Sequence, residues 1–104
     1  YFRTGLKKMI KLIASDMDGT LLDDAKNFPP DFFSILDRLE RHDIQFVIAS
    51  GRSYRALKPL FNEYCSCLTF ICDNGAFIVR NGKTVFTSAI TAETLKDIVN
   101  NCYE

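Results

Sequence analysis

The sequence predicts an α/β fold in which parallel strands form a sheet with helices packed against it. Three short apolar runs, residues 11–15, 44–49 and 68–72, have the length and the branched side chains of buried strands. Two segments with helical spacing lie between these runs. Strands that alternate with helices are typical of a parallel sheet, and their crossovers are almost always right-handed.

The first helical segment follows Pro29 and Pro30, which suit the first turn of a helix. The apolar residues that then recur at helical spacing are Phe32, Ile35, Leu36 and Leu39. This helix is expected to end near His42, the single histidine of the chain. We therefore interpret His42 as a helix-end residue rather than a catalytic base.

The second helical segment, residues 53–64, contains a proline. The apolar residues with helical spacing in this segment are Tyr54, Leu57, Leu60, Phe61 and Tyr64. Pro59 removes one backbone donor and disfavours helical backbone at Lys58. We therefore expect one helical turn, followed by a kink or a restart at Pro59.

After the third strand the pattern changes to a hairpin and a last helix. Residues 76–80 and 83–87 flank Asn81-Gly82, a strong signal for a two-residue hairpin turn. Thr91 is a candidate N-cap for the helix that follows. One apolar stripe of that helix consists of Leu95, Ile98, Val99 and Cys102. The remaining sequence contains nothing to cover the stripe, so we expect the chain to be capable of self-association.

The composition is that of a soluble globular protein, with 47% hydrophobic and 25% charged residues in 104. Thirteen basic residues balance thirteen acidic ones, which argues against electrostatic capture of nucleic acid or of a membrane surface. No apolar run approaches the roughly 20 residues that span a bilayer. Residues 1–8 lack the apolar core of a signal peptide, and Met9 is a candidate natural start, which would make residues 1–8 an extension.

The four cysteines are Cys65, Cys67, Cys72 and Cys102. They lack the paired C-x-x-C spacing of a zinc site, and no secretory signal points to a disulfide framework. We expect reduced, partly buried thiols in a cytoplasmic protein.

Two carboxylates follow the first strand in Asp16-Met17-Asp18-Gly19-Thr20. They lie at the carboxyl end of a predicted parallel strand, where open α/β sheets bind their ligands. Their charges would repel each other, so a hard cation such as Mg²⁺ is a natural companion. Gly19 permits a tight turn that turns backbone N–H groups toward an anion. Taken alone, the same residues are also compatible with an ordinary surface turn.

The wider string, with Leu21-Leu22 after Thr20, resembles the D-x-D-G-T-L motif of the haloacid dehalogenase superfamily. Two further segments resemble that superfamily's Cof-like sugar-phosphatase branch, namely Ser50-Gly51-Arg52 after the second strand and Asp73-Asn74-Gly75-Ala76 after the third. The resemblance implies that residues 9–75 are the N-terminal part of a Rossmann-like core. Residues 76–104 would be a hairpin and the start of a cap domain.

The resemblance also implies roles for individual residues. Asp16 would attack phosphorus and form an aspartyl-phosphate, and Asp18 would protonate the leaving oxygen and later activate water. The Asp16 carboxylate and the Asp18 backbone carbonyl would hold Mg²⁺. The residues expected to contact phosphate or substrate are Gly19, Thr20, Ser50, Gly51, Arg52 and Asn74. For Arg52 a surface salt bridge, and for Asn74 a hydrogen-bonded turn, remain alternatives of nearly equal weight.

The implied activity is Mg²⁺-dependent hydrolysis of small phosphorylated metabolites. The superfamily's third-motif lysine and fourth-motif acidic metal ligands have no counterpart in the sequence, so the chain by itself is expected to be weakly active or inactive. A phosphomutase of the same superfamily and a fragment that serves only as a folding or binding module are the alternatives. A nucleotide-binding P-loop is rejected, because Phe77 occupies the position of its first glycine.

Overall fold

The computed structural model describes residues 9–102, so the interpretation of residues 1–8 as an extension lies outside the described residues. Five strands form one mixed sheet in sequence order. They are β1 (Leu12–Asp16), β2 (Gln45–Ala49), β3 (Thr69–Cys72), β4 (Phe77–Arg80) and β5 (Lys83–Thr87). Strands β1 to β3 are parallel, and β4 and β5 continue the sheet antiparallel. The predicted α/β class with flanking helices is therefore confirmed.

Three α-helices accompany the sheet: α1 (Phe32–Arg41), α2 (Tyr54–Phe61) and α3 (Ala92–Cys102). Helix α1 begins after the two prolines that were expected to open it, in a turn where the Phe32 N–H donates to Pro29 O at 3.1 Å. It ends as predicted at His42, whose N–H donates to Arg38 O at 3.2 Å and whose Nδ1 lies 2.7 Å from the same oxygen.

The expected restart of the helix at Pro59 is wrong, and the expected kink stays a prediction. Helix α2 continues through Pro59 to Phe61 and ends at Asn62, where φ is +47°. A short 3-10 helix, Asn62–Ser66, follows. Pro59 removes only one helical hydrogen bond. The side chains of Leu57 and Phe61, on either side of Pro59, are fully buried in the core and hold both turns in place.

The hairpin between β4 and β5 is confirmed. Asn81 has a φ of +50° and Gly82 a φ of +80°, the left-handed pair that a two-residue turn requires. Strand β4 pairs with β3 from Cys72 opposite Phe77 to Thr69 opposite Arg80. The hairpin therefore extends the same sheet, with one register shift between Ile78 and Val79.

Helices α1 and α2 pack on one face of the sheet, and the largest core cluster lies between them and β2 and β3. Alternate residues of the strands face this cluster, so the sheet supplies Phe46, Ile48, Phe70 and Cys72. The helices supply Phe32, Leu36, Leu57 and Phe61. Phe61 makes edge-to-face contact with Phe70, with ring centroids 5.2 Å apart. This packing fixes the two crossover helices, and with them the loops at the carboxyl ends of the strands.

Strand β1 was expected to be buried, and it is not. It lies at the edge of the sheet, Leu12 is 56% exposed, and only alternate side chains are partly covered. Within residues 9–102 no strand pairs with its outer edge. An edge strand with one covered face buries only every second residue, however apolar its sequence is.

Helix α3 has the predicted cap, since Thr91 Oγ1 accepts from the Thr94 N–H at 3.1 Å. Its apolar stripe is exposed, with Leu95 at 50%, Ile98 at 47% and Val99 at 44%. Across the part of the chain that the structure describes, no helix has the length and apolar character needed to cross a bilayer.

All four cysteines are free thiols, as expected. Cys65 and Cys72 are buried and Cys102 is exposed. Burial raises the pKa of Cys72 to about 11, so its thiol stays protonated and unreactive near neutral pH.

Candidate active site

The carboxyl ends of the three parallel strands lie side by side. Asp16, the last residue of β1, pairs with Ala49 of β2, and Ala49 pairs with Ile71 of β3. The polar segments that follow these residues in the sequence therefore leave the sheet at the same edge. This register brings together three motifs that lie far apart along the chain.

Backbone hydrogen bonds join the second loop to the third. The Ser50 N–H donates to Ile71 O at 2.9 Å, and the Asn74 N–H donates back to Ser50 O at 3.2 Å. The Asp73 N–H donates to Arg52 O at 3.0 Å. Asp73 and Asn74 both have positive φ, at +50° and +55°, which folds this segment back over the second loop. The two loops therefore form one hydrogen-bonded unit.

A cavity of about 310 Å³ opens at this edge of the sheet. Four of the predicted site residues line it: Asp16, Ser50, Gly51 and Asn74. The other lining residues are Ala49, Ile71 and Gly75. Asp16 is exposed to solvent, whereas Ser50 is only 8% exposed. An exposed carboxylate and a buried hydroxyl therefore face the same small volume.

The Ser50 hydroxyl oxygen accepts a hydrogen bond from the Arg52 N–H at 3.0 Å. Because this contact uses a lone pair, the hydroxyl hydrogen remains available to donate to an oxygen atom in the cavity. Helix α2 begins directly afterwards, with Ser53 Oγ accepting from the Ala56 N–H at 3.3 Å. The N-terminus of the helix adds a favourable potential for an anion at this edge.

Gly51 lies directly against the Asn74 side chain. A Cβ at position 51 would stand 3.0 Å from Asn74 Oδ1 and 3.5 Å from its Nδ2. Few real Cβ contacts are as short, so a larger residue would displace the Asn74 amide. Gly51 therefore allows the close approach that places this amide at the cavity.

The turn after β1 is built around the carbonyl of the fully buried Met17. Met17 O accepts from the N–H groups of Leu21 at 3.0 Å, Leu22 at 2.8 Å and, more weakly, Thr20 at 3.4 Å. Gly19 has a φ of +77°, a left-handed conformation that favours glycine. Gly19 and Thr20 do not line the cavity. Their predicted contacts with phosphate remain predictions.

The Asp18 carboxylate lies in an ion cluster beside the cavity. Arg52 donates from Nε to Oδ2 at 3.1 Å and from Nη2 to Oδ1 at 2.6 Å. Lys26 Nζ donates to Oδ1 at 3.2 Å. The hydrogen bond from Lys26, together with the hydrogen bond and charge of Arg52, holds the pKa of the Asp18 carboxyl below its usual value of 3.8.

The oxygen atoms at this edge of the sheet supply some, but not all, of the ligands that a hard divalent cation needs. The Asp16 carboxylate lines the cavity and is exposed, so a cation that enters the cavity can reach its oxygen atoms. The Asp18 carboxylate is taken by Lys26 and Arg52, so its backbone carbonyl is the better ligand candidate. Among the residues that the structure describes, no three histidine, cysteine, aspartate or glutamate side chains form a complete metal site.

Sequence reasoning did not identify Lys26. It lies eight residues after Asp18, in a polar loop that gives no signal of a role in the site. Its side chain reaches Asp18 only because the loop doubles back, with the Lys26 N–H donating to Asp23 O at 2.9 Å. Lys26 could have been singled out only as a lysine close in sequence to two predicted catalytic aspartates.

A larger cavity of about 470 Å³ lies at the opposite end of the parallel strands. Charges of both signs line it, from Lys11 and Arg80 and from Glu40 and Asp43. It also contains Cys67, whose thiol has its pKa raised to about 11 by burial and by Glu40. None of the predicted site residues lines this cavity, so size alone does not identify the site.

Residues 13–104 match the haloacid dehalogenase-like hydrolase family. The 5-amino-6-(5-phospho-D-ribitylamino)uracil phosphatase YbjI of Escherichia coli K12 is 36% identical over 93 residues, which are 88% of this chain and 34% of that protein. A phosphoglycolate phosphatase of Metallosphaera sedula is 36% identical over 78 residues, which are 73% of this chain and 35% of that protein.

Among solved structures, SMU.1108c from Streptococcus mutans UA159 superposes with a TM-score of 0.80 at 34% identity. The match covers 89% of this chain and 35% of that one. The chain thus spans about a third of the length of the relatives it matches.

Proposed function

The chain belongs to the haloacid dehalogenase-like hydrolase family, and on that basis we propose that the protein is a metal-dependent phosphatase acting on small phosphorylated metabolites. The observation that carries the proposal is the cavity in which Asp16, Ser50 and Asn74 meet. A carboxylate nucleophile, a hydroxyl donor and an amide surround a volume suited to a phosphoryl group. The related proteins named as phosphatases of small organic phosphates support the same substrate class.

In the first half of the reaction, an Asp16 carboxylate oxygen attacks phosphorus. The new oxygen–phosphorus bond forms as the bond to the leaving oxygen breaks, and Asp18 gives that oxygen a proton. This step requires Lys26 and Arg52 to release the Asp18 carboxylate first, because both stabilise its ionised form. In the second half, water attacks the phosphorus of the aspartyl-phosphate while Asp18 takes up a proton. Inorganic phosphate leaves, and the Asp16 carboxylate is restored.

The other residues of the site bind and orient the phosphoryl group. The Ser50 hydroxyl donates its hydrogen to a phosphoryl oxygen, while Ser50 Oγ accepts a hydrogen bond from the Arg52 N–H. To Asn74, whose side-chain amide lies against Gly51, we assign a contact with the leaving group. Gly19 and Thr20, in the turn that follows Asp18, are the residues that we propose to contact the phosphoryl group from the β1 side.

The metal we propose is Mg²⁺, held by the Asp16 carboxylate and the Asp18 backbone carbonyl together with ligands from elsewhere in the protein. When bound, it offsets negative charge on the phosphoryl oxygens. Hard oxygen donors, and the absence of histidine and cysteine from the cavity lining, suit Mg²⁺ better than Zn²⁺.

The test is an assay of the full-length protein with a panel of phosphate monoesters and Mg²⁺, followed by ³¹P NMR. We expect inorganic phosphate as the product and, on rapid quenching, a phosphoryl adduct on the peptide that contains Asp16. Isomerised sugar phosphate without free phosphate would identify a phosphomutase instead. Absence of both products with every monoester would leave only the binding-module alternative.

A further inference from the structure

The loop that carries Lys26 is closed by its own hydrogen bonds. The Asp23 N–H donates to Asn27 O at 3.0 Å, and the Asn27 N–H donates to Asp23 Oδ1 at 2.9 Å. Lys26 itself has a φ of +65°, a left-handed conformation that is unfavourable for a lysine. The loop therefore fixes the point from which the Lys26 side chain extends.

Two cations meet a single carboxylate at the tip of this loop. Asp18 accepts three donors, two from Arg52 and one from Lys26. Two cations therefore share one carboxylate. The Lys26 side chain is 61% exposed and that of Arg52 34%. Both cationic side chains thus remain partly open to solvent, and Arg52 directly follows the cavity-lining residue Gly51.

The role that we propose for Asp18 indicates where Lys26 and Arg52 lie relative to the leaving group of the substrate. A residue that protonates the leaving oxygen must lie beside the leaving group. With Asp18 in that proposed role, Lys26 and Arg52, at 3.2 Å and 2.6 Å from Asp18 Oδ1, would lie on the leaving-group side of the site. The backbone of Arg52 is held by Ser50 and Asp73, which keeps its side chain at this position.

We propose that Lys26 is a substrate-binding residue which, together with Arg52, binds a second anionic group on the leaving group of the substrate. The inference rests on the proposed phosphatase function and deepens it. The preferred substrates are phosphate monoesters whose leaving group carries a carboxylate or a second phosphate close to the ester oxygen. Arg52 supplies a planar fork for such a group, and Lys26 supplies a mobile point charge.

A purely structural role for Lys26 makes a different prediction. If Lys26 only neutralised Asp18, its loss would affect every substrate to the same extent. A residue that contacts a second anion changes the preference between anionic and neutral leaving groups. The discriminating quantity is therefore a ratio of affinities for two matched ligands.

The experiment measures binding, not turnover, so that its outcome is independent of catalysis. Phosphonoacetate carries a carboxylate beside its phosphonate, and 2-hydroxyethylphosphonate replaces that carboxylate by a neutral alcohol. Neither ligand is a substrate, because each has a carbon–phosphorus bond in place of the oxygen–phosphorus bond that a phosphatase hydrolyses. Their affinities for the full-length protein are measured by titration calorimetry in Mg²⁺ buffer. The variants are Lys26→Met, Lys26→Arg and the control Lys11→Met, which lies before β1 at the other end of the sheet.

We expect the native protein to prefer phosphonoacetate, and Lys26→Met to reduce this preference about three- to tenfold while leaving the affinity for the neutral ligand within about twofold. Lys26→Arg and Lys11→Met should keep the preference, and high salt should weaken it. Equal losses for both ligands, no native preference, or no binding of either ligand would overturn the proposal. If the native protein prefers phosphonoacetate, Lys26→Met reduces that preference, and the protein has no phosphatase activity, the anion-binding role of Lys26 would be supported while the proposed function would be refuted.

Discussion

Gly51 and Asn74 lie in such close contact that a Cβ at position 51 would stand 3.0 Å from Asn74 Oδ1. The contact joins the second loop to the third, which is also held by the hydrogen bond from the Asn74 N–H to Ser50 O at 3.2 Å. The conformations of the two loops, which follow different strands, are therefore coupled. A change in either loop is expected to be felt at the cavity that both of them line.

Gly51→Ala should lower kcat/KM of the full-length protein about ten- to a hundredfold, because the added methyl displaces the Asn74 amide from the cavity. Folding should change little, since one side-chain amide can move aside. The check is a double-mutant cycle with Asn74→Ala. The double variant should lose little more activity than Asn74→Ala alone, and strictly additive losses would show that the two residues act independently.

Asp16→Asn should reduce turnover of the full-length protein by more than about a thousandfold, because an amide cannot attack phosphorus. Its shape is nearly that of the carboxylate, so the melting temperature should stay close to that of the parent, and Mg²⁺-dependent binding of a phosphate ligand should largely persist. Asp24→Asn, in the exposed loop after the motif, is the matched control. Rates within a few-fold of the parent would remove Asp16 from the role of nucleophile.

Ser50→Ala should slow the full-length enzyme by about ten- to a thousandfold, less than Asp16→Asn. It removes one donor to the phosphoryl group, worth about 1–4 kcal/mol in the transition state. It also leaves the Arg52 N–H without the oxygen that it now contacts at 3.0 Å. Ser66→Ala, at an exposed hydroxyl far from the cavity, is the control. A loss as large as that of Asp16→Asn would indicate a more direct chemical role for Ser50.

Replacing Lys26 or Arg52 by Met should raise the pKa of Asp18 from its lowered value toward the usual 3.8. A carboxyl with a lowered pKa in the folded state stabilises that state above its unfolded pKa, and this contribution is lost as pH falls through the folded pKa. The variants should therefore show a weaker loss of stability below about pH 4. A ¹³C NMR titration of the Asp18 carboxyl in the metal-free chain measures the shift. An unchanged titration in both variants would contradict the prediction.

The 104-residue chain should self-associate in solution through the apolar stripe of α3, because Leu95, Ile98 and Val99 are each more than two-fifths exposed. Leu95→Lys should shift sedimentation toward the monomer. Asn100→Lys adds the same charge at a polar position of the same helix and serves as the control. A native chain that already sediments as a monomer, or equal effects of both substitutions, would rule out this surface as the cause.

Local sequence determined the elements and most of the candidate site residues. Asn81-Gly82 predicted its hairpin because the two-residue turn needs two positive φ values, and both residues adopt them. Thr91 predicted its helix cap for an equally local reason. Asp16 was recognised because it follows a strand, and parallel strands end at one edge of the sheet. Ser50 and Asn74 were implied by the resemblance of their motifs to those of the haloacid dehalogenase superfamily.

Tertiary packing decided what local patterns leave open. The helix runs through Pro59 because burial of Leu57 and Phe61 outweighs one missing hydrogen bond, and the apolar β1 is exposed because it lies at the edge of the sheet. Lys26 joins Asp18 through a loop whose closure depends on contacts between side chain and backbone. Sequence periodicity reports which residues prefer to be buried or helical. It does not report the tertiary contacts that cover a strand, stabilise a helix at a proline or bring a lysine to a carboxylate. Those interaction energies arise only when segments that are distant in the sequence come into contact.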